Sequence, residues 1–190
     1  MKEIKFVFFK GISNISKLIR KITGSVFSHV GYLSTKDNTL IECWQADKIR
    51  LRDLLSFHPI QNLNKKFCWK YSSFNNHEKG TPYVILSKKV PSTIFEVIDN
   101  LFRYMAEYNI PYDILGLFGR LNKNLDSKYG MYCSEGCQNV LCFTQRLYLD
   151  KYGNDLILTD INVPGYRTDP GMLYYILLSC DYKIVDEGET

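Results

Sequence analysis

Phe27-Ser28-His29-Val30-Gly31-Tyr32-Leu33-Ser34, then Lys36-Asp37-Asn38, then Thr39-Leu40-Ile41-Glu42-Cys43-Trp44 is the stretch on which the fold turns. Two short runs rich in apolar, β-branched and aromatic residues flank turn formers, which predicts two strands joined by a tight turn. Upstream, Ile12, Ile15, Leu18, Ile19 and Ile22 recur at helical spacing. Ser13 or Asn14 offers a cap and Gly24 a stop. The segment 4–9 predicts a first strand. Downstream, short strands are expected near 48–51, 67–72 and 82–87. A helix over 93–108 carries Ile94, Val97, Ile98, Leu101, Phe102 and Met105 on one face, with Thr93 and Glu96 as a capping box. Pro111 breaks the chain before Tyr112-Asp113-Ile114-Leu115-Gly116-Leu117-Phe118-Gly119, a short helix or turn. Helices are expected from Cys133 to about 149 and from Asp169-Pro170, the latter with Asp169 as cap. Tyr182–Val185 reads as a last strand. Strands and helices alternate without βαβ regularity, so the class is α+β, one domain over residues 1–190.

Composition bounds the function. The 190 residues are 45% hydrophobic, 14% aromatic and 23% charged, which supports a packed core and excludes disorder and coiled coil. No apolar run reaches the roughly 18–20 residues of a membrane helix. Charges flank the short apolar run at the N-terminus, so it reads as a strand rather than a signal peptide. A cytoplasmic protein is the expectation, with release by lysis or another non-classical route also consistent. Residues 1–149 carry 21 Lys/Arg against 12 Asp/Glu, whereas residues 150–190 carry 3 against 8. A basic body fits an anionic ligand or simply a solvated surface. Basic blocks, RNA-binding aromatic motifs and zinc-finger spacings are missing, which argues against nucleic acid. The six cysteines include no Cys-x-x-Cys pair and read as mostly reduced, buried small hydrophobes.

Three residues stand apart. Cys133 opens an apolar helix, where the positive end of the macrodipole and the first backbone N–H groups favour a thiolate and can hold an oxyanion. It also fits as a small residue tucked under the preceding loop. His29 sits at the start of a core strand, either as a base or as a satisfied core residue. His58 and His77 read as loop residues. Glu42 lies among apolar neighbours, and a buried carboxylate there needs a partner. An imidazole on the neighbouring strand would serve, and the partnership would fix the His tautomer. An edge strand with Glu42 facing solvent fits the same pattern.

In the order His29, Glu42, Cys133, the motifs Phe27-Ser28-His29-Val30-Gly31-Tyr32, Leu40-Ile41-Glu42-Cys43, Pro111-Tyr112-Asp113-Ile114-Leu115-Gly116 and Tyr132-Cys133-Ser134-Glu135 resemble the circularly permuted papain-like cysteine peptidases and amidases. The likeness is to the YiiX/YebB-like branch of the NlpC-type superfamily. It extends to Phe6-Val7-Phe8-Phe9-Lys10-Gly11 and Ser16-Lys17-Leu18-Ile19-Arg20, and covers roughly residues 4–45 and 110–180. The resemblance implies a cysteine helix packed on an antiparallel, barrel-like sheet. It implies Cys133 as nucleophile, His29 as base, Glu42 as third polar residue and Tyr112 lining the substrate site or assisting the oxyanion hole. It further implies hydrolysis of a peptide or isopeptide bond, such as one in a peptidoglycan stem peptide, without metal or organic cofactor. Gly136-Cys137 departs from the two bulky apolar residues usual after Cys-Ser-Glu. Cys137, one turn beyond Cys133, reads as core or as a resolving thiol. Trp44, Phe67, Trp69 and Tyr71 either shape access or pack.

Three other functions fit less of the sequence. The lecithin:retinol acyltransferase relatives share the permuted order, and a lipid-directed acyltransferase or phospholipase is the second expectation. Their Asn-Cys-Glu-His-Phe type motif and second His are replaced here by Tyr132-Cys133-Ser134-Glu135 and Glu42. A non-catalytic binding protein on the same scaffold is the third. A metal site of Cys133, Cys137 and His29 has neither zinc-type spacing nor an evident fourth ligand.

Overall fold

The structure, a computed structural model, describes residues 1–45, 67–111, 132–152, 157 and 168–190. Six strands form one antiparallel sheet: β1 (Lys2–Phe9), β2 (His29–Leu33), β3 (Leu40–Gln45), β4 (Phe67–Ser72), β5 (Pro82–Val90) and β6 (Lys183–Glu189), in the order β4-β3-β2-β1-β5-β6. The helices are α1 (Asn14–Thr23), α2 (Ser92–Glu107), α3 (Cys133–Tyr152) and α4 (Pro170–Ser179). The class is α+β, as the alternation of elements predicts.

β1 is central, paired with β2 on one side and β5 on the other. That explains its nearly continuous apolar run, because both faces are covered. Ile4, Phe6 and Phe8 join Val30, Tyr32, Ile41 and Trp69 in the main core, together with Phe102, Leu141 and Leu177 from the helices. Phe102 stacks on Tyr32 with ring centroids 4.3 Å apart. Burying a side chain of that size contributes about 1.5–3 kcal/mol. The opposite face carries a smaller cluster of Val7, Phe9, Leu33, Leu40 and Ile85, with Phe74 and Tyr83 packed against it.

The barrel-like closure implied by the resemblance is not what the described residues form. The sheet is open, with β4 and β6 at opposite edges. β6 is Lys-Ile-Val-Asp-Glu-Gly-Glu and is exposed along its whole length, so it is a charged edge rather than a strand that seals a barrel. It also runs further than the expected Tyr182–Val185, because pairing with β5 holds it and burial does not.

Local signals hold at most termini. The Ser13 side chain accepts from the Ser16 N–H at 3.1 Å, and Gly24 closes α1 at φ 68°. Asp169 accepts from the Met172 N–H at 2.8 Å, with Pro170 in the first turn of α4. The Thr93–Glu96 capping box does not form. α2 starts at Ser92 after Pro91, and Glu96 instead takes Lys36 at 2.6 Å and Lys2 at 3.4 Å. The strand expected near 48–51 and the turn at 112–119 lie outside the described residues. Among the described residues, no helix is long and apolar enough to cross a membrane.

α2 is fastened to the sheet by a buried carboxylate. Asp99 accepts from Ser34 Oγ at 2.6 Å and Tyr32 OH at 3.2 Å on one oxygen. Its other oxygen meets Arg103 Nε at 2.9 Å and Lys36 Nζ at 3.1 Å. Arg103 continues to Asp37 at 2.9 Å, in the turn between β2 and β3. The strands that carry His29 and Glu42 are thereby anchored to α2.

Candidate active site

Each of the three singled-out side chains is placed by a separate element. His29 is the first residue of β2. Ser28, just before it, donates its N–H to Phe9 C=O at 3.0 Å, and its hydroxyl accepts the Gly11 N–H at 2.9 Å. This pins the start of β2 to the end of β1. Cys133 opens α3, which packs on β2. Ser134 fixes that first turn by donating to Thr168 C=O at 2.6 Å. Three residues on, the Gly171 N–H donates to Ser25 Oγ at 2.8 Å, so the start of α4 ties the cysteine helix and the histidine segment together.

β2 and β3 are in register at Tyr32↔Ile41 and Leu33↔Leu40, which sets Glu42 opposite Gly31 and diagonal to His29 on the same face. Gly31 is what permits the approach. A Cβ there would lie 3.0 Å from Glu42 Cβ and 3.0 Å from Leu40 Cδ1. The outcome is a contact of 2.8 Å between His29 Nε2 and Glu42 Oε2. Glu42 is fully buried and the His29 side chain is 14% exposed. Nε2 being committed to Glu42, the ring's other nitrogen, Nδ1, is left for the thiol of Cys133, with which His29 also hydrogen bonds.

The electrostatics follow from this packing. Burial pushes the Cys133 thiol up, but the His29 charge and hydrogen bond outweigh it, helped by the backbone N–H groups of Val30 and Ser134. The thiol is held below its usual 9.0. Burial works against the His29 imidazolium, yet the Cys133 charge, followed by Glu42, raises it to about 10. Burial likewise opposes the Glu42 carboxylate, and the hydrogen bond from His29, then the close approach of His77, bring it down to about 2. The shifts all run in one direction, favouring the thiolate–imidazolium form of the Cys133–His29 pair beside an ionised Glu42. Such an array can attack an electrophilic carbonyl, and the Cys133 N–H, in the first turn of α3 and outside the helix ladder, is a donor for the oxyanion that results.

The unusual Gly136-Cys137 pair has a packing origin. A Cβ on Gly136 would fall 2.4 Å from Trp69 Cζ2, and the fully buried indole of β4 occupies the space a bulky residue would otherwise fill. Cys137 and Cys43 are both buried, and burial pushes their thiols well up, with the Cys133 charge adding to it. Both are therefore held in the protonated form. None of the six cysteines is in a disulfide.

Tyr112, expected to line the site, lies outside the described residues. His77, taken from sequence for a loop residue, belongs to the site. It follows a 3-10 turn at Phe74–Asn76, its side chain is 4% exposed, and its Nε2 lies 3.2 Å from Glu42 Oε2. No local pattern marks it. The signal was an isolated His after an aromatic turn, and its meaning depends on strands far away in sequence. In comparisons with known proteins, no family model matches this chain and no curated protein is significantly similar to it.

Proposed function

We propose that the chain is a cysteine hydrolase of the permuted papain-like, NlpC-type kind, acting as a peptidase or amidase. One observation carries the reading: Glu42, His29 and Cys133, from β3, β2 and the first turn of α3, form a continuous line of polar contacts. In this mechanism the Cys133 thiolate adds to the carbonyl carbon of an amide, and the carbonyl electron pair moves to oxygen. The oxyanion rests on the Cys133 N–H and a neighbouring donor. As the intermediate collapses, the C–N bond breaks and the His29 imidazolium protonates the departing amine. The now neutral His29 takes a proton from water, whose oxygen attacks the thioester and returns the thiolate. Glu42 keeps the ring oriented and its charge balanced throughout. A peptide or isopeptide bond, such as one in a peptidoglycan stem peptide, is the substrate class.

The test is iodoacetamide labelling of all six cysteines against pH, resolved by peptide mass spectrometry, in the wild type and in His29→Ala. Cys133 is expected to label well below the pH of about 8.5 of a free thiol, ahead of the other five, and to lose that lead in His29→Ala. Cleavage of a stem-peptide amide by the wild type and not by Cys133→Ala completes the assignment. A Cys133 that labels no faster than Cys68 or Cys180 would remove the nucleophile, and with it the hydrolase.

One observation favours a lipid-directed version of the same chemistry. α1 carries Lys17, Arg20 and Lys21 with no acidic residue, and its apolar residues are all less than fully buried. A cationic amphipathic helix of this kind suits an anionic headgroup surface. Release of fatty acid from anionic liposomes, without stem-peptide cleavage, would select that version.

A further inference from the structure

We propose that His77 is a positioning residue of this site: it holds Glu42 by a second imidazole contact, so that Glu42 in turn keeps His29 aimed at Cys133. The inference rests on the thiolate–imidazolium reading of the site. It starts from an asymmetry in the carboxylate. Among the described residues, both polar contacts of Glu42 fall on Oε2: a hydrogen bond with His29 Nε2 at 2.8 Å, and His77 Nε2 at ion-pair distance, 3.2 Å, outside hydrogen-bond geometry. Oε1 is buried with no hydrogen-bond partner. A carboxylate engaged through one oxygen is free to pivot about its last bond, and a single donor does not fix that rotation. Two rings converging on the same oxygen do.

His77 is itself rigidly held, as a support must be. Its ring stacks on Phe9 with centroids 3.7 Å apart and planes 16° from parallel. Its N–H donates to Phe74 C=O at 3.1 Å. Phe9 also stands beside the His29 ring at 6.0 Å and pairs with His29 in the register of β1 and β2. One aromatic ring on the central strand therefore gauges the spacing of both imidazoles. The titratable groups in direct contact with His77 include Glu42 on β3 and His29 on β2, with Cys133 on α3 behind His29; Glu78 follows it in the chain and Tyr83 packs on the same Phe9. The neighbours from β1 and the 3-10 turn are the uncharged Phe9 and Phe74.

Two substitutions separate positioning from mere packing. His77→Phe keeps a flat ring for the Phe9 stack and removes the N–H. His77→Gln gives up the stack but places an amide N–H near the position of Nε2. The first readout is the His29 Nε2 proton, followed by nitrogen-15 NMR of histidine-labelled protein. It is expected to be sharp in the wild type, broadened by solvent exchange in His77→Phe and recovered in His77→Gln. The second is Cys133 alkylation at pH 7, expected to fall about tenfold in His77→Phe, the loss of one polar contact to a charged group, and to return to within about threefold in His77→Gln. Thermal melting of both variants reports folding. Should His77→Phe not fold, Glu42→Gln decides instead: it is expected to shift the imidazole signals of both histidines.

A His29 signal indifferent to His77→Phe, or an effect in which His77→Gln is the damaged variant and His77→Phe the sound one, would overturn the inference and leave His77 as packing. In Glu42→Gln, a shift confined to His29 would do the same. If the His29 signal responds as expected while wild-type Cys133 labels no faster than the other cysteines, the support of Glu42 by His77 stands and the hydrolase reading falls.

Discussion

Glu42 and Asp99 are both fully buried carboxylates, and the protein treats them in opposite ways. Asp99 is saturated. Both of its oxygens are used, by two hydroxyls and by the side chains of Arg103 and Lys36. Those cations do not give up their protons near neutrality, so the network is a fixed fastening between α2 and the β2–β3 turn. Glu42 has one oxygen unused, and its partners are imidazoles. Unlike a guanidinium or an ammonium group, an imidazole works in either protonation state, so on the proposed reading the proton that His29 holds beside Glu42 can be passed on. A structural carboxylate is built to have nothing left to do, whereas Glu42, on the proposed reading, has a proton to manage.

The largest effect expected from breaking the contrast is on stability. Asp99→Ala leaves Arg103 and Lys36 without their shared anion, and removing one partner of a buried ion network typically costs about 3–5 kcal/mol. The two cations are themselves 23% and 32% exposed and can turn to solvent. The expected loss is therefore at the low end, about 3 kcal/mol by urea unfolding. The alkylation rate of Cys133 in the folded fraction should not change. A stable Asp99→Ala protein with an unreactive Cys133 would mean that the two carboxylates have been assigned the wrong way round.

Glu42→Gln should invert that pattern. The amide keeps an oxygen for His29 Nε2–H but removes the charge, so Cys133 alkylation at pH 7 is expected to fall about 10²-fold, a change in the thiol that Asp99→Ala does not produce. The pH dependence sharpens the point. The Glu42 carboxyl is lowered from 4.5 to about 2, so its contribution to stability is present above 4.5 and is lost as the pH falls through about 2. Glu42→Gln should remove that portion of the acid sensitivity. The raised His29 sets the other limit. The proposed amide cleavage should decline as the pH passes about 10, where the ring no longer carries the proton for the leaving amine.

How much of this was legible in the sequence depended on the range of the determining contacts. Cys133, His29 and Glu42 were visible because each sits in a local pattern: a helix start, a strand start and a carboxylate amid apolar neighbours. Even the meeting of His29 and Glu42 was accessible, because they are 13 residues apart on adjoining strands. His77 was not, since its place is set by stacking on Phe9, on a strand 68 positions earlier in the chain. The Thr93–Glu96 box failed locally: α2 already begins at Ser92 behind Pro91, so Thr93 lies inside the helix rather than at its cap, and Glu96 pairs with Lys2 and Lys36 instead. The class of the fold was likewise readable from alternating elements. Whether the sheet closes was not, because that is decided by its two edge strands, and periodicity describes each strand alone.

The smallest of these effects is the most specific, because it moves Glu42 without altering any polar group. Gly31→Ala would set a methyl 3.0 Å from Glu42 Cβ and from Leu40 Cδ1, and 3.3 Å from Ile41 C=O. Leu40 can swing its methyl aside. Glu42 Cβ is tied to the backbone, so β3 itself must yield by a few tenths of an ångström. A small overpacking of this kind costs about 1 kcal/mol. The same displacement lengthens the 2.8 Å contact of Glu42 with His29, while the Asp99 network, whose strand contacts are Tyr32, Ser34 and Lys36, lies outside the crowded spot. Cys133 alkylation at pH 7 should therefore fall about threefold, beyond what a loss of about 1 kcal/mol in global stability can explain, since nearly all molecules stay folded. If Gly31→Ala weakens the fold but leaves Cys133 as reactive as before, the reach from Glu42 to His29 is not what sets the reactivity of the thiol, and the dipole at the start of α3 must be carrying it.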